Sequence, residues 1–183
     1  MAARLIARKY ELRREIGRGG MGSVWEARDL DLDRVVALKL IVGKHALSAE
    51  YKRRFQAEAR ALAQLKTEYV VDVYDFGFDG ESPYIVMEFL EGETLDALFN
   101  REKRLSLDQT IELARQMAAG LSAAAAQDIV HRDLKPANVL LTPAESGYRA
   151  KLLDFGVAWS SQGDNSADEG HKLIGTPIYM SPE

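Results

Sequence analysis

Short blocks of hydrophobic residues, continuous or alternating with polar ones, run through the first half of the chain and are typical of β-strands. Residues 23–29, an acidic turn at 29–33 and the apolar run 35–42 predict a strand, a turn and a second strand. Residues 83–92 predict a buried strand that runs into a turn. Alternation divides the run 35–42 into two faces, one with Val35, Ala37, Lys39 and Ile41, the other with Val36, Leu38, Leu40 and Val42.

A helical period follows in two other segments. From Ser48, a residue suited to an N-cap, a helix is predicted to about Leu65. The segment 106–127 is rich in alanine and leucine, and it predicts a long, mostly buried helix. Residues 142–150 are predicted to be a hairpin connection, and 152–153 a short strand. One face of the first helix carries Tyr51, Phe55, Glu58, Leu62 and Leu65, which step by four, three, four and three.

Two charges interrupt this apolar pattern. A lysine such as Lys39 in an apolar strand usually lies at an edge with its ammonium in water. Glu58 argues against that explanation, because it is the only charge on its helical face and a buried carboxylate needs a partner. We therefore expect Lys39 to pair with Glu58, which would leave the ammonium available for phosphates.

A glycine-rich segment precedes the first predicted hairpin turn. It fits Gly-x-Gly-x-x-Gly-x-Val, a spacing that lets backbone amides approach phosphates. The same spacing marks dinucleotide-binding folds, but there a helix follows the glycines and here a strand does. No Gly-Lys-Ser/Thr closes a Walker-type loop, and a glycine-rich hairpin without a ligand stays open at this point. The segment is Gly17, Arg18, Gly19, Gly20, Met21, Gly22, Ser23 and Val24.

The most informative chemistry lies in the string His131 to Asn138 and in Asp154-Phe155-Gly156. Asp133 can accept a proton from a hydroxyl, and Lys135 can steady a phosphate. Asn138 and Asp154 offer the hard oxygen ligands that Mg²⁺ prefers. Together these residues suit phosphoryl transfer from a metal-bound nucleotide to a hydroxyl.

The two strings resemble the catalytic loop and the metal-binding Asp-Phe-Gly of eukaryotic-type protein kinases. "PYIVMEFLEG" and "VHRDLKPANVLL" are most similar to the bacterial serine/threonine kinases of that family. Lys135 after His-Arg-Asp-Leu, and Thr176 in Gly-Thr-Pro, resemble the serine/threonine class. The resemblance implies an α+β, two-lobed fold over 10–183, with an N-lobe at 10–89, a hinge near 88–92 and a C-lobe at 93–183. Residues 1–9 would be an N-terminal tail.

The resemblance also implies roles for individual residues, with ATP and Mg²⁺ as cofactors. Asp133 would be the base and Lys135 the phosphate contact, and Asn138 and Asp154 would hold the metal. Glu93 lies where some relatives contact the ribose and others do not, and both possibilities stay open. The adenine pocket and phosphate lid would comprise Ile16, the glycine-rich segment, Ala37, Lys39, Met87, Glu88, Leu90 and Leu140.

The resemblance further implies an activation segment after Gly156. Arg132 would pair with a negative group there, and Thr176 would lie beside Asp133 and Lys135. Candidate phosphorylation sites are Ser160, Ser161 and Ser166. Asp168 and Glu169 are either solvated loop charges or a built-in negative partner for Arg132, and both possibilities stay open. In the family further helices follow Ser-Pro-Glu, so we expect the C-lobe to be incomplete and the chain to be a fragment.

Composition narrows the classes of function that this chain can have. A net charge of −4 gives no support for nucleic-acid binding, and the absence of cysteine excludes disulfides. No apolar run is long enough to span a bilayer, which predicts a cytoplasmic location. Attachment to a membrane through sequence beyond residue 183 stays open. Protein substrates are the expected partners, and a kinase–kinase dimer is left open. The main alternative to a protein kinase is a nucleotide-binding or interaction fragment that does not turn over substrate. A third possibility, a small-molecule kinase, is less favoured.

Overall fold

The computed structural model describes residues 4–19, 22–41, 48–145, 147–155 and 177–179. The chain forms two compact units. Among the described residues, the first unit contains those up to 64 together with 72–90, and the second contains 65–71 and those from 91 onwards. The predicted domain limits at 10, 89 and 93 stay predictions.

The first unit is an antiparallel sheet with one described helix. Its strand order is β1-β2-β3-β4-β6-β5. Arg4–Ile6, which the sequence placed in a tail, instead pairs with Tyr10–Leu12 as an edge strand. The elements are β1 (Arg4–Ile6), β2 (Tyr10–Gly19), β3 (Gly22–Asp29), β4 (Arg34–Ile41), α1 (Ala49–Gln64), β5 (Val73–Asp79) and β6 (Ser82–Glu88).

Strand β4 provides the centre of this unit, with β3 on one side and β6 on the other. Its predicted alternation is confirmed over the described residues, because the even-numbered face lies in one apolar cluster; Val42 lies outside them. Burial of these side chains is the main favourable term for the sheet. The cluster contains Val36, Leu38, Leu40, Ile6, Tyr10, Leu12, Ala27, Tyr84 and Val86.

Helix α1 begins as its sequence predicts. The Ser48 hydroxyl accepts the backbone N–H of Tyr51 at 3.0 Å, so Ser48 is the N-cap. Phe55 is fully buried, and its ring lies edge-on to Phe76 and Phe78 of β5 at 6.3 and 5.2 Å. The helix therefore packs its predicted apolar face against that strand.

Polar contacts join the N-terminal strands to β5, which lies at the other end of the strand order. The Tyr10 hydroxyl donates to Asp75 Oδ2 at 2.5 Å, and the Ala7 backbone N–H donates to Asp79 Oδ1 at 3.1 Å. Lys9 Nζ lies 3.9 Å from Asp75. Burial and the Asp75 carboxylate raise the pKa of Tyr10, so its hydroxyl stays a donor at neutral pH. These side-chain bonds, made by the turn between β1 and β2 and by the first residue of β2, close the sheet between its two ends.

The second unit combines helices with a small sheet of order β7-β8-β9. Short 3-10 helices lie at Pro136–Asn138 and Pro177–Tyr179. The strands extend further into 142–150 than predicted, which leaves a shorter hairpin connection. The other elements are β7 (Glu93–Thr94), α2 (Leu95–Glu102), α3 (Leu107–Ala125), β8 (Val139–Pro143) and β9 (Tyr148–Leu152).

Helix α3 is long, as predicted, but the prediction that it is mostly buried is wrong. Ser106 caps it in a reciprocal capping box with Gln109. Only one residue per turn is buried, because a single stripe faces β9. Leu107 is 73% exposed and Ile111 58% exposed. The buried stripe is Leu113, Gln116, Gly120 and Ala124.

The closure of the first sheet predicts a stability effect for Tyr10→Phe. Removing the hydroxyl leaves a partly buried carboxylate without that donor, and we expect a loss of about 1.5–3 kcal/mol, the range for hydrogen bonds to charged groups. Urea unfolding followed by circular dichroism measures it. Tyr74→Phe is the matched control, because Tyr74 is 41% exposed on β5. Equal midpoints for the two variants would show that the Tyr10–Asp75 bond contributes nothing.

Candidate active site

The glycine-rich segment forms the β2–β3 hairpin, with Gly17 opposite Val24 and Gly19 opposite Gly22. Gly20 and Met21 lie outside the described residues. Gly22 has φ 143°, and a Cβ there would lie 1.9 Å from the Leu40 oxygen, so only glycine fits. At Gly17 a Cβ would meet only Val24 Cβ at 3.9 Å, and at Gly19 nothing within 4 Å. Local packing therefore does not account for the first two glycines.

Lys39 lies in the middle of the first sheet, between Val24 of β3 and Ile85 of β6. It is 9% exposed, so the edge explanation for this lysine is wrong. Glu58 of α1 is half-buried. Burial raises the pKa of Tyr51, and the Glu58 charge adds to this effect. The pairing of Lys39 with Glu58 stays a prediction.

Two residues assigned to the adenine pocket are neighbours in the first sheet. Ala37 of β4 lies opposite Met87 of β6, and both are buried. Glu88 bonds twice to Asp72: its N–H donates to the Asp72 oxygen at 2.9 Å, and its Oε1 accepts the Asp72 N–H at 2.9 Å. These bonds fix the end of β6. Ile16 is 40% exposed. The adenine contacts of Glu88 and Leu90 stay predictions.

In the second unit, two predicted catalytic residues and a predicted metal ligand meet at one carboxylate oxygen of Asp133. Lys135 Nζ lies 2.7 Å from Asp133 Oδ2, and Asn138 Nδ2 donates to the same oxygen at 3.0 Å. The Asn138 amide also donates to the Asp133 backbone oxygen at 2.8 Å. Asp133 is only 7% exposed, so these donors offset the cost of removing its charge from water.

The backbone before Asp133 is held by a buried histidine. The Asp133 N–H donates to the His131 oxygen at 2.9 Å, and its distance to His131 Nδ1 is 3.4 Å. His131 is 4% exposed and its ring packs on Phe155 at 4.6 Å. Burial lowers the pKa of His131, so the imidazole is neutral at pH 7. Arg132, between them, is exposed and has φ 64°, a left-handed conformation that the flanking contacts must maintain.

The two predicted metal ligands lie on neighbouring backbone. The Leu153 N–H donates to the Asn138 oxygen at 2.8 Å, which places Asp154 next to this residue in the fold. The Asn138 amide nitrogen donates to Asp133, which leaves the amide Oδ1 as the atom that a metal ion would bind if the prediction is right. No group of three or more His, Cys, Asp or Glu in the described ranges could hold a metal ion. The pair suits Mg²⁺, which binds through one or two side chains and completes its shell with phosphates and water.

The contacts of Glu93 and Gln116 differ most from what the sequence predicted for these two residues. Arg101 Nη2 donates to the Glu93 carboxylate at 2.5 Å, so a ribose contact would compete with this ion pair. Gln116 is buried and its side chain makes three hydrogen bonds, but it was not singled out from the sequence. The sequence did contain a signal for Gln116: it is a polar residue on the same helical stripe as the buried Leu113 and Gly120.

The remaining predicted site residues lie in β8, in β3 and in the glycine-rich hairpin, or outside the described residues. Leu140 lies half-buried in β8, opposite Thr94 and Lys151. Ser23 and Val24 are half-buried in β3, and Arg18 is exposed. The activation-segment predictions for Ser160, Ser161, Ser166 and Thr176, and for Asp168 and Glu169, lie outside the described residues.

This fold and loop are of the protein kinase type, and comparison with known proteins agrees. The sequence model of the protein kinase domain matches residues 10–183. The chain is 37% identical over 183 residues to the serine/threonine-protein kinase PknA of Mycobacterium tuberculosis, covering 97% of this chain and 42% of that protein. It is 38% identical over 175 residues to the serine/threonine-protein kinase PknE of Mycobacterium bovis, covering 95% and 30%. The chain belongs to the protein kinase domain family.

Comparison with solved structures also indicates a protein kinase fold. The PknI kinase domain of Mycobacterium tuberculosis superposes with a TM-score of 0.73 at 29% identity, over 86% of this chain and 63% of that chain. The predicted α+β kinase fold and the relation to bacterial serine/threonine kinases are confirmed. The chain spans 42% of PknA and 30% of PknE, less than half of either.

Among the helices that the structure describes, none has the length and apolar character needed to cross a membrane.

The shared oxygen of Asp133 predicts a pH-dependent effect for Asn138→Asp. The change replaces a donor 3.0 Å from Asp133 Oδ2 with a second carboxylate. At pH 7 both would be ionised and repel, so we expect a loss of about 1–3 kcal/mol of stability. The repulsion raises the pKa of one carboxyl in the folded state. The deficit should therefore shrink as the pH falls through that raised pKa and the carboxyl becomes neutral.

Urea unfolding of the wild type and the variant between pH 7.5 and 4.5 measures the deficit. Asn100→Asp is the matched control, since Asn100 donates to Asp96 at 3.2 Å on the exposed face of α2. A deficit equal to that of the control, and independent of pH, would contradict the assigned geometry.

Proposed function

We propose that this chain carries the catalytic machinery of a serine/threonine protein kinase and transfers the γ-phosphate of ATP to protein hydroxyls. The observation that carries the proposal is the buried Asp133 carboxylate, held by Lys135 at 2.7 Å and Asn138 at 3.0 Å. A carboxylate fixed in this way can accept the proton of a substrate hydroxyl. The two residues that hold it are also those suited to contact the phosphate and the metal.

The roles in the second unit follow from charge. Asp133 orients the hydroxyl and takes its proton. Lys135 lies beside it, and its ammonium can contact the transferred phosphate as negative charge builds up. Asn138 and Asp154 would hold Mg²⁺, which supplies charge neutralisation on the phosphates when bound. Catalysis of this kind rests on positioning and electrostatic stabilisation.

The first unit would bind the nucleotide. Gly17 and Gly19 have room for a Cβ, so their bare backbone is better explained by a ligand than by packing. Lys39, buried in the sheet at 9% exposure, would contact the α- and β-phosphates and be oriented by Glu58. Ala37, Met87 and the remaining predicted residues of the adenine pocket belong to the same proposal.

Serine and threonine are the proposed acceptors, and proteins the proposed substrates. The support is Lys135 in the loop, together with the serine/threonine-protein kinase names of PknA and PknE. A kinase–kinase dimer and a cytoplasmic location, with or without a membrane tether, belong to the proposal as well. The alternative is a nucleotide-binding or interaction fragment without turnover, and no contact in the described residues favours it.

The proposal predicts that two aspartates in the full-length chain both support phosphoryl transfer but differ in their effect on ATP binding. Asp133→Asn should lower phosphoryl transfer by about 10²–10⁴-fold, the usual contribution of a general base, while ATP binding survives. Asp154→Asn should in addition weaken Mg²⁺-dependent ATP binding, because a metal ligand is lost. Transfer of labelled phosphate to a generic serine/threonine substrate protein, and calorimetry with Mg²⁺ and ATP, measure the two effects.

Asp128→Asn is the control for both changes. Asp128 is exposed with φ 57°, a conformation that asparagine tolerates, so turnover should not change. Near-normal turnover in Asp133→Asn would refute its role as the base. Binding of ATP without turnover in the unsubstituted chain would favour the fragment without turnover.

A further inference from the structure

Gln116 is a buried polar residue on the inner face of α3, only 6% exposed. Its Nε2 donates to the Tyr148 backbone oxygen at 3.1 Å, and its Oε1 accepts the Ala150 backbone N–H at 2.7 Å. Both partners are backbone groups of β9. One side-chain amide therefore supplies the donor and acceptor that a neighbouring strand would supply.

Strand β9 is the last in its sheet, and β8 occupies only one of its edges. Along the outer edge, Gln116 satisfies Tyr148 and Ala150. Next to them, the Leu152 N–H donates to the Tyr69 oxygen at 2.8 Å, and the Val71 N–H donates to the Leu152 oxygen at 3.0 Å. The strand cannot shift along its neighbours without breaking these bonds, and buried backbone groups are costly to leave unpaired.

The orientation of the Gln116 amide is fixed by Glu112, one turn earlier on α3. Glu112 Oε1 accepts from Gln116 Nε2 at 2.8 Å, and Arg115 donates to the same carboxylate at 2.7 and 2.9 Å. Arg115 and Gln116 together lower the pKa of Glu112 to about 2, so it is charged at neutral pH. A flipped amide would place its oxygen against a carboxylate and a carbonyl. The donor therefore faces Tyr148 and the acceptor faces Ala150.

Strand β9 leads directly to Asp154, two residues beyond its end. The Leu153 N–H is bound to the Asn138 oxygen at 2.8 Å, and Asp154 follows with φ 54°. A non-glycine residue in this conformation is held there by its surroundings, and β9 is the part of them that precedes it. We propose that Gln116 is a positioning residue for Asp154, because it fixes the strand that determines where this carboxylate lies. The proposal rests on the proposed function, in which Asp154 holds Mg²⁺.

The test is Gln116→Met, which keeps the size of the side chain and removes its donor and acceptor. Two properties are measured in the full-length chain: amide hydrogen exchange of residues 148–155 without nucleotide, and the Mg²⁺ concentration that gives half-maximal ATP binding. We expect faster exchange from Ala150 through Phe155. The Mg²⁺ requirement should rise about tenfold, the lower end for partners that orient a metal ligand, and ATP binding should recover at saturating Mg²⁺.

Two further variants make the result specific. Gln127→Met is the same change at an exposed glutamine just beyond α3, and it should leave both properties unchanged. Glu112→Ala removes the group that orients the amide. Because Glu112 lies near the surface, folding is not at risk, and the effects should have the same direction as those of Gln116→Met and be smaller. An unchanged Mg²⁺ requirement in both Gln116→Met and Glu112→Ala overturns the proposal.

The two measurements separate this proposal from the proposed function. If the unsubstituted chain shows no Mg²⁺-dependent binding of ATP, the proposed function fails. The positioning role of Gln116 is then tested by amide hydrogen exchange alone. Faster exchange that extends to residues 153–155 in Gln116→Met supports the positioning role. Faster exchange confined to 148–151 overturns it, since the bonds would then stabilise the strand without affecting Asp154.

Discussion

The buried carboxylate of Asp133 is the constraint on which the second unit depends. A charge that is 7% exposed needs compensation, and Lys135 and Asn138 provide it at a single oxygen. Both donors lie within five residues of Asp133, so the chain must turn back on itself. The 3-10 helix Pro136–Asn138 makes that turn, and the Asn138 N–H donates to the Lys135 oxygen at 2.9 Å. The contacts that compensate this charge therefore also bring together the three residues proposed for catalysis.

Such a turn is not stable by itself, and the surrounding elements explain how it is held. Arg132 and Asp154 both have left-handed backbone, at φ 64° and 54°. His131 packs on Phe155 between these two segments. Strand β8 follows the first segment, β9 leads into the second, and the two strands are paired. Helix α3 then binds the outer edge of β9 through Gln116. Backbone strain at Arg132 and Asp154 is offset by hydrogen bonds and packing further away.

The first unit combines an exposed glycine-rich backbone, where we propose that the nucleotide binds, with a stable sheet. Gly22 is required by packing, whereas Gly17 and Gly19 leave open space. The cost of a glycine-rich hairpin is offset elsewhere in the unit, where β4 is buried between two strands and Tyr10 binds Asp75 across the sheet. A hairpin with accessible backbone is thereby attached to a well-packed support.

Sequence alone determined the features that a few consecutive residues encode. The alternation in β4, the N-cap at Ser48, the start of α3 after Ser106 and the grouping of Asp133 with Asn138 are local, and the structure agrees with them. Tertiary structure decided the pairings between distant residues: Tyr10 with Asp75, 65 positions apart, and Gln116 with Ala150, 34 apart. It also placed residues 4–6 in the sheet and left Leu107 exposed. Periodicity shows which face of an element is apolar, but which surface covers that face depends on the path of the whole chain.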